Sequence, residues 1–205
     1  MAKITWKPGT MIYPVPAVMV SCGREGIGFN IITVSWTGTI CTNPPMTYIS
    51  LRRDRFSYEI IKDCGDFVIN LSTEALAFAT DFCGVRSGRE VDKFAHLGLM
   101  PGRSSKVNAP LILESPVNIE CIVKEIVPLG SHDMFISEVV AVNVDDQYID
   151  SNGKFSLERA KPICYNHGAY FSLGKNLGHF GFSVIKEKTK KRKEREKILY
   201  KKHKS

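Results

Sequence analysis

Val117, Ile119, Cys121 and Val123 alternate with Asn118, Glu120 and Lys124. A period of two sends successive side chains to opposite faces, so the segment is a strand with one face toward a core. Leu129-Gly130-Ser131-His132-Asp133 supplies a turn, and Met134 to Val144 runs back along the first arm. A hairpin this long is antiparallel from end to end, and its apolar face must be covered by further strands or by helices.

The preceding residues provide those strands. Ala17 to Cys22 is a short apolar run that follows Pro14 and Pro16, Met46 to Leu51 alternates, and Asp66 to Leu71 is apolar apart from Asp66 and Asn70. Gly23-Arg24-Glu25-Gly26 and Asn43-Pro44-Pro45 are turns. Gly23, Gly26 and Gly28 are in the wrong order for a dinucleotide fingerprint and lead into a strand rather than a helix. Helices are fewer and shorter. Ser57 is placed to cap one over Tyr58–Cys64, with Gly65 just past its end. Ser72 or Thr73 starts a second that stops at Gly84, and a third is expected around Val91 to Leu97. Residues 162–182 are rich in glycine and aromatics with little periodicity, and are expected to wrap the surface or reach a partner subunit. The expected fold is mainly β, an antiparallel sheet closed or nearly closed into a barrel with a few short flanking helices.

Charge separates the body of the chain from its end. Residues 186–205 hold eleven Lys/Arg and three Glu, a net of +8, against +7 for all 205 residues, so residues 1–185 carry −1. The expected division is a domain over 1–185 and a basic, mobile tail over 186–205. Such a tail can bind RNA, DNA or an anionic surface in a salt-dependent way, or be a solvated end. There is no apolar run of membrane-spanning length and no signal-like N-terminus, which makes a cytoplasmic location the expectation. The six cysteines form no C-x-x-C pair and the histidines no ligand spacing, so neither a disulfide framework nor a metal site is expected.

Two stretches combine structure with chemistry. Arg52, Arg53 and Arg55 put three guanidiniums within four residues, just before the Ser57 hydroxyl at a helix start. Guanidiniums and free helix N–H groups together suit a phosphate, although a solvated basic strand end has the same composition. Asn30 to Gly38 interleaves β-branched residues with small hydroxyls (Thr33, Ser35, Thr37) around Trp36. Backbone amides on such a strand can hydrogen-bond the polar edge of a flavin ring, while Trp36 offers an apolar wall. Simple alternation accounts for the same residues as a plain strand.

Taken with Pro16-Ala17-Val18-Met19-Val20, Asn43-Pro44-Pro45, Tyr48 to Arg52 and Phe67 to Asn70, the stretch Asn30-x-x-Thr33-Val34-Ser35-Trp36 resembles the flavin reductase-like family of FMN-binding split barrels. Ser87-Gly88-Arg89-x-x-Asp92-Lys93-Phe94, Gly130-Ser131-His132-Asp133 and Tyr170-Phe171-x-Leu173-Gly174 continue the series. The likeness covers residues 10 to 183 and lies nearest the flavoredoxin and flavin:NAD(P)H oxidoreductase branch.

That resemblance implies a split barrel and a homodimer with FMN, rather than FAD, near the subunit interface. It implies that Asn30, Thr33, Val34, Ser35, Trp36 and Thr37 line the ring and ribityl chain, with Ser50, Leu51 and Arg52 beneath. Arg55, Ser57, Tyr58 and Lys93 would meet the phosphate, and His132 would face the nicotinamide. The implied activity passes hydride from NAD(P)H to bound flavin and on to free flavin, ferric iron or a protein acceptor. The alternative is an electron carrier of the flavoredoxin type with no nicotinamide turnover.

Overall fold

The computed structural model describes residues 1–185, so the basic tail over 186–205 lies outside the described residues. The chain divides into two units, Met1–Leu173 and Gly174–Ser205. The first contains every strand named here.

In chain order the strands are β1 (Val15–Pro16), β2 (Val18–Arg24), β3 (Gly28–Val34), β4 (Thr37–Thr42), β5 (Pro45–Leu51) and β6 (Asp66–Leu71). They continue as β7 (Pro101–Gly102), β8 (Leu111–Ile112), β9 (Val117–Pro128), β10 (Asp133–Val144), β11 (Ile163–Asn166) and β12 (Ala169–Ser172). The helices are α1 (Phe56–Cys64), α2 (Ala77–Val85) and α3 (Lys93–Leu97). Seven strands form one sheet in the order β3-β2-β6-β9-β10-β5-β4, antiparallel throughout. Strands β3 and β4 are its two edges, yet only Ser35 and Trp36 separate them in sequence. Three Cα steps reach at most about 11 Å, so the sheet must curl until its edges converge there. The Ser50 N–H donates to Trp36 O at 2.9 Å beside that seam. The result is an antiparallel split β-barrel.

Period-two alternation explains the two cores. Val18, Val20 and Cys22 of β2 point into the barrel with Ile32, Ile49, Phe67 and Phe135. Met19 and Ile31 face outward under α2 and α3, packed on Leu76, Cys83 and Phe94. Strand β2 is buried on both faces, which is why it reads as one continuous apolar run. Helix α1 plugs the barrel with Tyr58 and Ile61. Outside the sheet, Asp66 and Glu120 accept backbone N–H groups of Asn108, Ala109, Ser105 and Lys106, pinning the 103–110 loop to β6 and β9. Among the described residues no helix is long and apolar enough to cross a membrane.

Three expectations about elements need correction. The Asn30–Gly38 stretch is not one strand: it breaks at Ser35–Trp36, because barrel closure turns the chain from one sheet edge to the other. Ser57 does not cap α1. The N-cap is Arg55, without a side-chain capping bond, and Ser57 lies inside the helix, where its Oγ accepts from Asn30 Nδ2 at 2.8 Å. The 162–182 region is more regular than its composition suggests, since β11 and β12 pair with each other and with β1 in a small three-stranded sheet. Their turn has positive φ at both His167 (47°) and Gly168 (87°), the backbone of a tight two-residue hairpin.

Candidate functional site

Two cavities meet along one side of the barrel. The smaller, about 180 Å3, lies between the α1 N-terminus, the C-terminal end of α2 and the 86–89 loop. The larger, about 340 Å3, is backed by β3, the Ser35–Trp36 seam and the end of β5. They share Ile32, Arg55 and Gly84 in their walls, so they lie side by side along one groove.

Helix ends assemble the smaller cavity. Residues at the last turn of α2 expose carbonyls with no intrahelical partner, and cations gather there. Arg55 donates to Gly84 O at 3.1 Å, and Lys93 Nζ donates to Ile31 O and Cys83 O at 2.6 and 2.8 Å. Burial holds Lys93 below its usual pKa. Burial also pushes the Cys83 thiol up to about 11, so it is no nucleophile at neutral pH. Across the cavity, α1 begins without a side-chain cap, which leaves first-turn N–H groups for an anion. Arg86, Ser87 and Arg89 complete the lining. Arg89 is held by the Asp54 carbonyl at 3.3 Å and by the Phe56 ring, 5.2 Å from its guanidinium carbon. Gly88 sits so close that a Cβ there would lie 2.2 Å from Asn30 Oδ1. Four cations and a helix N-terminus around so small a volume suit the dianion of a phosphate monoester.

The larger cavity brings Thr33, Val34, Ser35 and Trp36 together with Ser50, Leu51 and Arg52, as well as His132. The Thr33 hydroxyl is already spent on Thr80 O, anchoring α2 to β3, so Thr33 offers backbone rather than side chain. Arg52 pairs with Asp54 at 2.9 Å on the exposed rim. Opposite the strands stand Asp81, Tyr165 and Tyr170. Burial, with Asp81 alongside, pushes the Tyr170 phenol up to about 12, which keeps it a neutral donor.

Several other expected residues stand apart from these surfaces or touch only one of them. Tyr58 is buried, and its hydroxyl donates to Asp133 Oδ2 at 2.6 Å, within the barrel and away from the cation-lined cavity. Arg53 turns the same way and grips both Asp133 oxygens at 2.8 Å. Thr37 is buried with its hydroxyl on Tyr48 O and faces a neighbouring cavity. Asn30 lines only the smaller cavity, not the strand-backed one. His132 is half-buried and borders the groove, not the exposed turn residue that its hairpin position suggests. Arg86, Asp81, Ser87, Arg89 and the two tyrosines also line the groove, and the sequence reading gave none of them a site role, although Ser87, Arg89 and Tyr170 stood in the motifs that carried the resemblance. The Arg86-Ser-Gly-Arg run was the available signal, since two guanidiniums flanking Ser-Gly repeat the chemistry of residues 52–57.

The model of the flavin reductase-like domain matches residues 10–174. The chain belongs to the flavin reductase-like family. That membership puts it among flavin-related oxidoreductases. The flavoredoxin of Desulfovibrio vulgaris (Miyazaki F) is 30% identical and superposes with a TM-score of 0.82 over 90% of this chain and 100% of its own. Flavoredoxin from Methanosarcina acetivorans is 25% identical, with a TM-score of 0.80 over 90% and 100% of the two chains. An uncharacterized protein of Archaeoglobus fulgidus is 30% identical over 167 residues, 81% of this chain and 88% of that one. The groove has a phosphate-sized cationic end and a strand-backed middle, and Gly88 lets the 86–89 loop pack directly on Asn30 and Phe56.

Proposed function

We propose that this protein binds FMN along the groove and passes electrons from a reduced nicotinamide to a flavin, ferric iron or protein acceptor. One observation carries the reading: the cation-lined cavity lies directly beside the strand-backed one, with Ile32, Arg55 and Gly84 lining both. Arg55, Arg86 and Arg89 would hold the phosphate, assisted by first-turn N–H groups of α1 and by the nearby charge of Lys93. Ser35, Trp36, Ser50 and Leu51 would flank the ring, with backbone groups of the seam meeting its polar edge. When bound, FMN supplies the two-electron acceptor chemistry, and the protein contributes binding, orientation and exclusion of water. His132 would stand at the nicotinamide side. Its Nδ1 lies 2.9 Å from Ser131 Oγ, which fixes the ring's orientation in the turn. A monophosphate-sized seat favours FMN over FAD.

The same reading pairs the chain with a second copy. Phe78, Val85 and Phe171 are exposed, Val85 on the groove itself, and apolar surface of that kind is covered on dimerisation. Light scattering at the dimer mass is the expected result. A cytoplasmic location accords with the chain's free thiols.

The purified protein should be yellow, or become so with FMN, and NADH or NADPH should bleach it anaerobically. A protein that stays colourless with excess FMN rules the proposal out. Bleaching by dithionite but not by either nicotinamide would select the flavoredoxin-type carrier instead. His132→Ala should slow nicotinamide-driven bleaching while leaving the FMN Kd unchanged, and equal rates would remove His132 from the reaction.

A further inference from the structure

A separate cavity of about 710 Å3 lies where the turn between β2 and β3 faces the 101–110 segment. It shares no lining residue with either part of the groove. Arg24 pairs with Gly28 at the opposite end of the β2–β3 ladder from Val34. Six residue steps along β3 separate those ends, about 20 Å of strand. Arg24 and Arg103 line the cavity, one from each segment, and among the described residues neither has a carboxylate partner. Glu25 is the sole acid among its described lining residues, which leaves two Arg against one Glu, a net of +1.

We propose that this cavity is a second anion site, which takes an aromatic phosphate monoester with its phosphate between Arg24 and Arg103 and its ring on Phe29. The proposal does not depend on flavin binding in the groove. Guanidinium forks match phosphate oxygens, and a dianion engages two forks where a carboxylate engages one. Phe29 is 37% exposed and is braced edge-on by Phe94, at 6.4 Å between ring centroids, so a ligand ring meets a fixed partner. The wall is preorganised. Asp66 accepts from the Asn108 and Ala109 N–H groups, and Glu120 accepts from those of Ser105 and Lys106. Those bonds also turn the two carboxylates toward the loop backbone. The Ser104 and Ser105 hydroxyl protons are committed to Ala109 O and Glu120, and the Asn108 amide donates to Asp66. Recognition of an anion therefore falls to the two arginines. The volume is within the range of small-molecule sites.

The test is equilibrium dialysis of 1-naphthyl phosphate against the full-length chain, with and without saturating FMN. Binding should persist when FMN is present, and uncharged 1-naphthol should bind at least about tenfold more weakly. Arg24→Gln and Arg103→Gln should each raise the naphthyl phosphate Kd about tenfold, as the loss of one charge-assisted hydrogen bond requires. Both arginines are exposed, so the variants should melt with the parent. Phe29→Leu should weaken naphthyl phosphate while leaving competition by inorganic phosphate unchanged. Arg55→Ala, at the cationic end of the groove, should retain the binding without FMN, so the result stands even where FMN does not bind. No binding of naphthyl phosphate, an equal Kd for 1-naphthol, or a Kd unchanged in either arginine variant would overturn the assignment. Binding lost in Arg55→Ala or displaced by FMN would place the ligand in the groove and overturn it as well.

Discussion

Ser57 has two demands on it. Its Oγ lines the cation-rich cavity, and it also accepts the buried Asn30 Nδ2 proton at 2.8 Å. Removing it leaves a buried amide facing a methyl group, which costs about 1–3 kcal/mol. Ser57→Ala should therefore lower the thermal midpoint more than it weakens FMN. Arg55 is the reverse case: it is exposed, and among the described residues its guanidinium hydrogen-bonds the Gly84 carbonyl alone. Arg55→Ala should spare the melt and raise the FMN Kd roughly thirtyfold, the equivalent of about 2 kcal/mol for a charge-assisted hydrogen bond. Melting curves and flavin-fluorescence titrations of the two variants separate these outcomes, and interchanged phenotypes would reverse the assignment. The sequence could reveal that both residues sit near one another. It could not reveal that Ser57 is held by a strand 27 positions away, because that contact depends on how α1 packs in the barrel. For the same reason Tyr58 and Arg53 looked like phosphate ligands: their partner, Asp133, is close only after β10 pairs with β5.

At the scale of elements, the 86–89 loop is the part that closes the cation-lined cavity over α1. Gly88 allows that closure, since a Cβ would come within 2.2 Å of Asn30 Oδ1 and 2.8 Å of Phe56 Cδ1. Asn30 is tied to Ser57 and cannot easily yield. Gly88→Ala should push the loop outward, carrying Arg86 and Arg89 from the cavity, and raise the FMN Kd by at least about tenfold. Far-UV circular dichroism should stay at the parent's value, and unchanged FMN affinity would show that the loop does not form the seat. The long hairpin was legible because each arm repeats a period of two over many residues. The β3–β4 break was not, because Ser35 and Trp36 are both acceptable in a strand. Only closure of the seven-stranded sheet requires the chain to leave one edge and join the other at that point. The β11–β12 hairpin escaped notice for a different reason. Its turn uses His167 at positive φ before Gly168, where Asn-Gly or Asp-Gly would have announced it.

For the whole molecule, charge is the property that the sequence described best and the fold uses most selectively. Deleting residues 186–205 removes a net charge of +8 and leaves −1, so the truncated protein should keep its FMN Kd while losing any salt-sensitive affinity for nucleic acid. Lost FMN binding would mean that the tail contributes to the groove. Two carboxylates, Asp133 inside the barrel and Glu120 on its outer face, hold distant segments together. Hydrogen bonds from Arg53 and Tyr58 hold Asp133 below its ordinary 3.8. Burial alone would raise Glu120, but hydrogen bonds from the Ser105 N–H, Asn143 and the Lys106 N–H outweigh it and bring the group below 4.5. A carboxylate depressed in the folded state binds fewer protons there than in the unfolded chain at acid pH. Its stabilisation is complete above the unfolded value and disappears as pH falls through the folded one. The protein should therefore lose thermal stability steeply below about pH 4, with a flat midpoint above about pH 5. Asp133→Asn should lower the midpoint at neutral pH, because Arg53 loses its charged partner, and should flatten the acid limb. Glu120→Gln should do the same while loosening the 103–110 loop, which faster amide exchange at Ser105 and Lys106 would report. An acid limb as steep in the double variant as in the parent would assign acid unfolding to other groups.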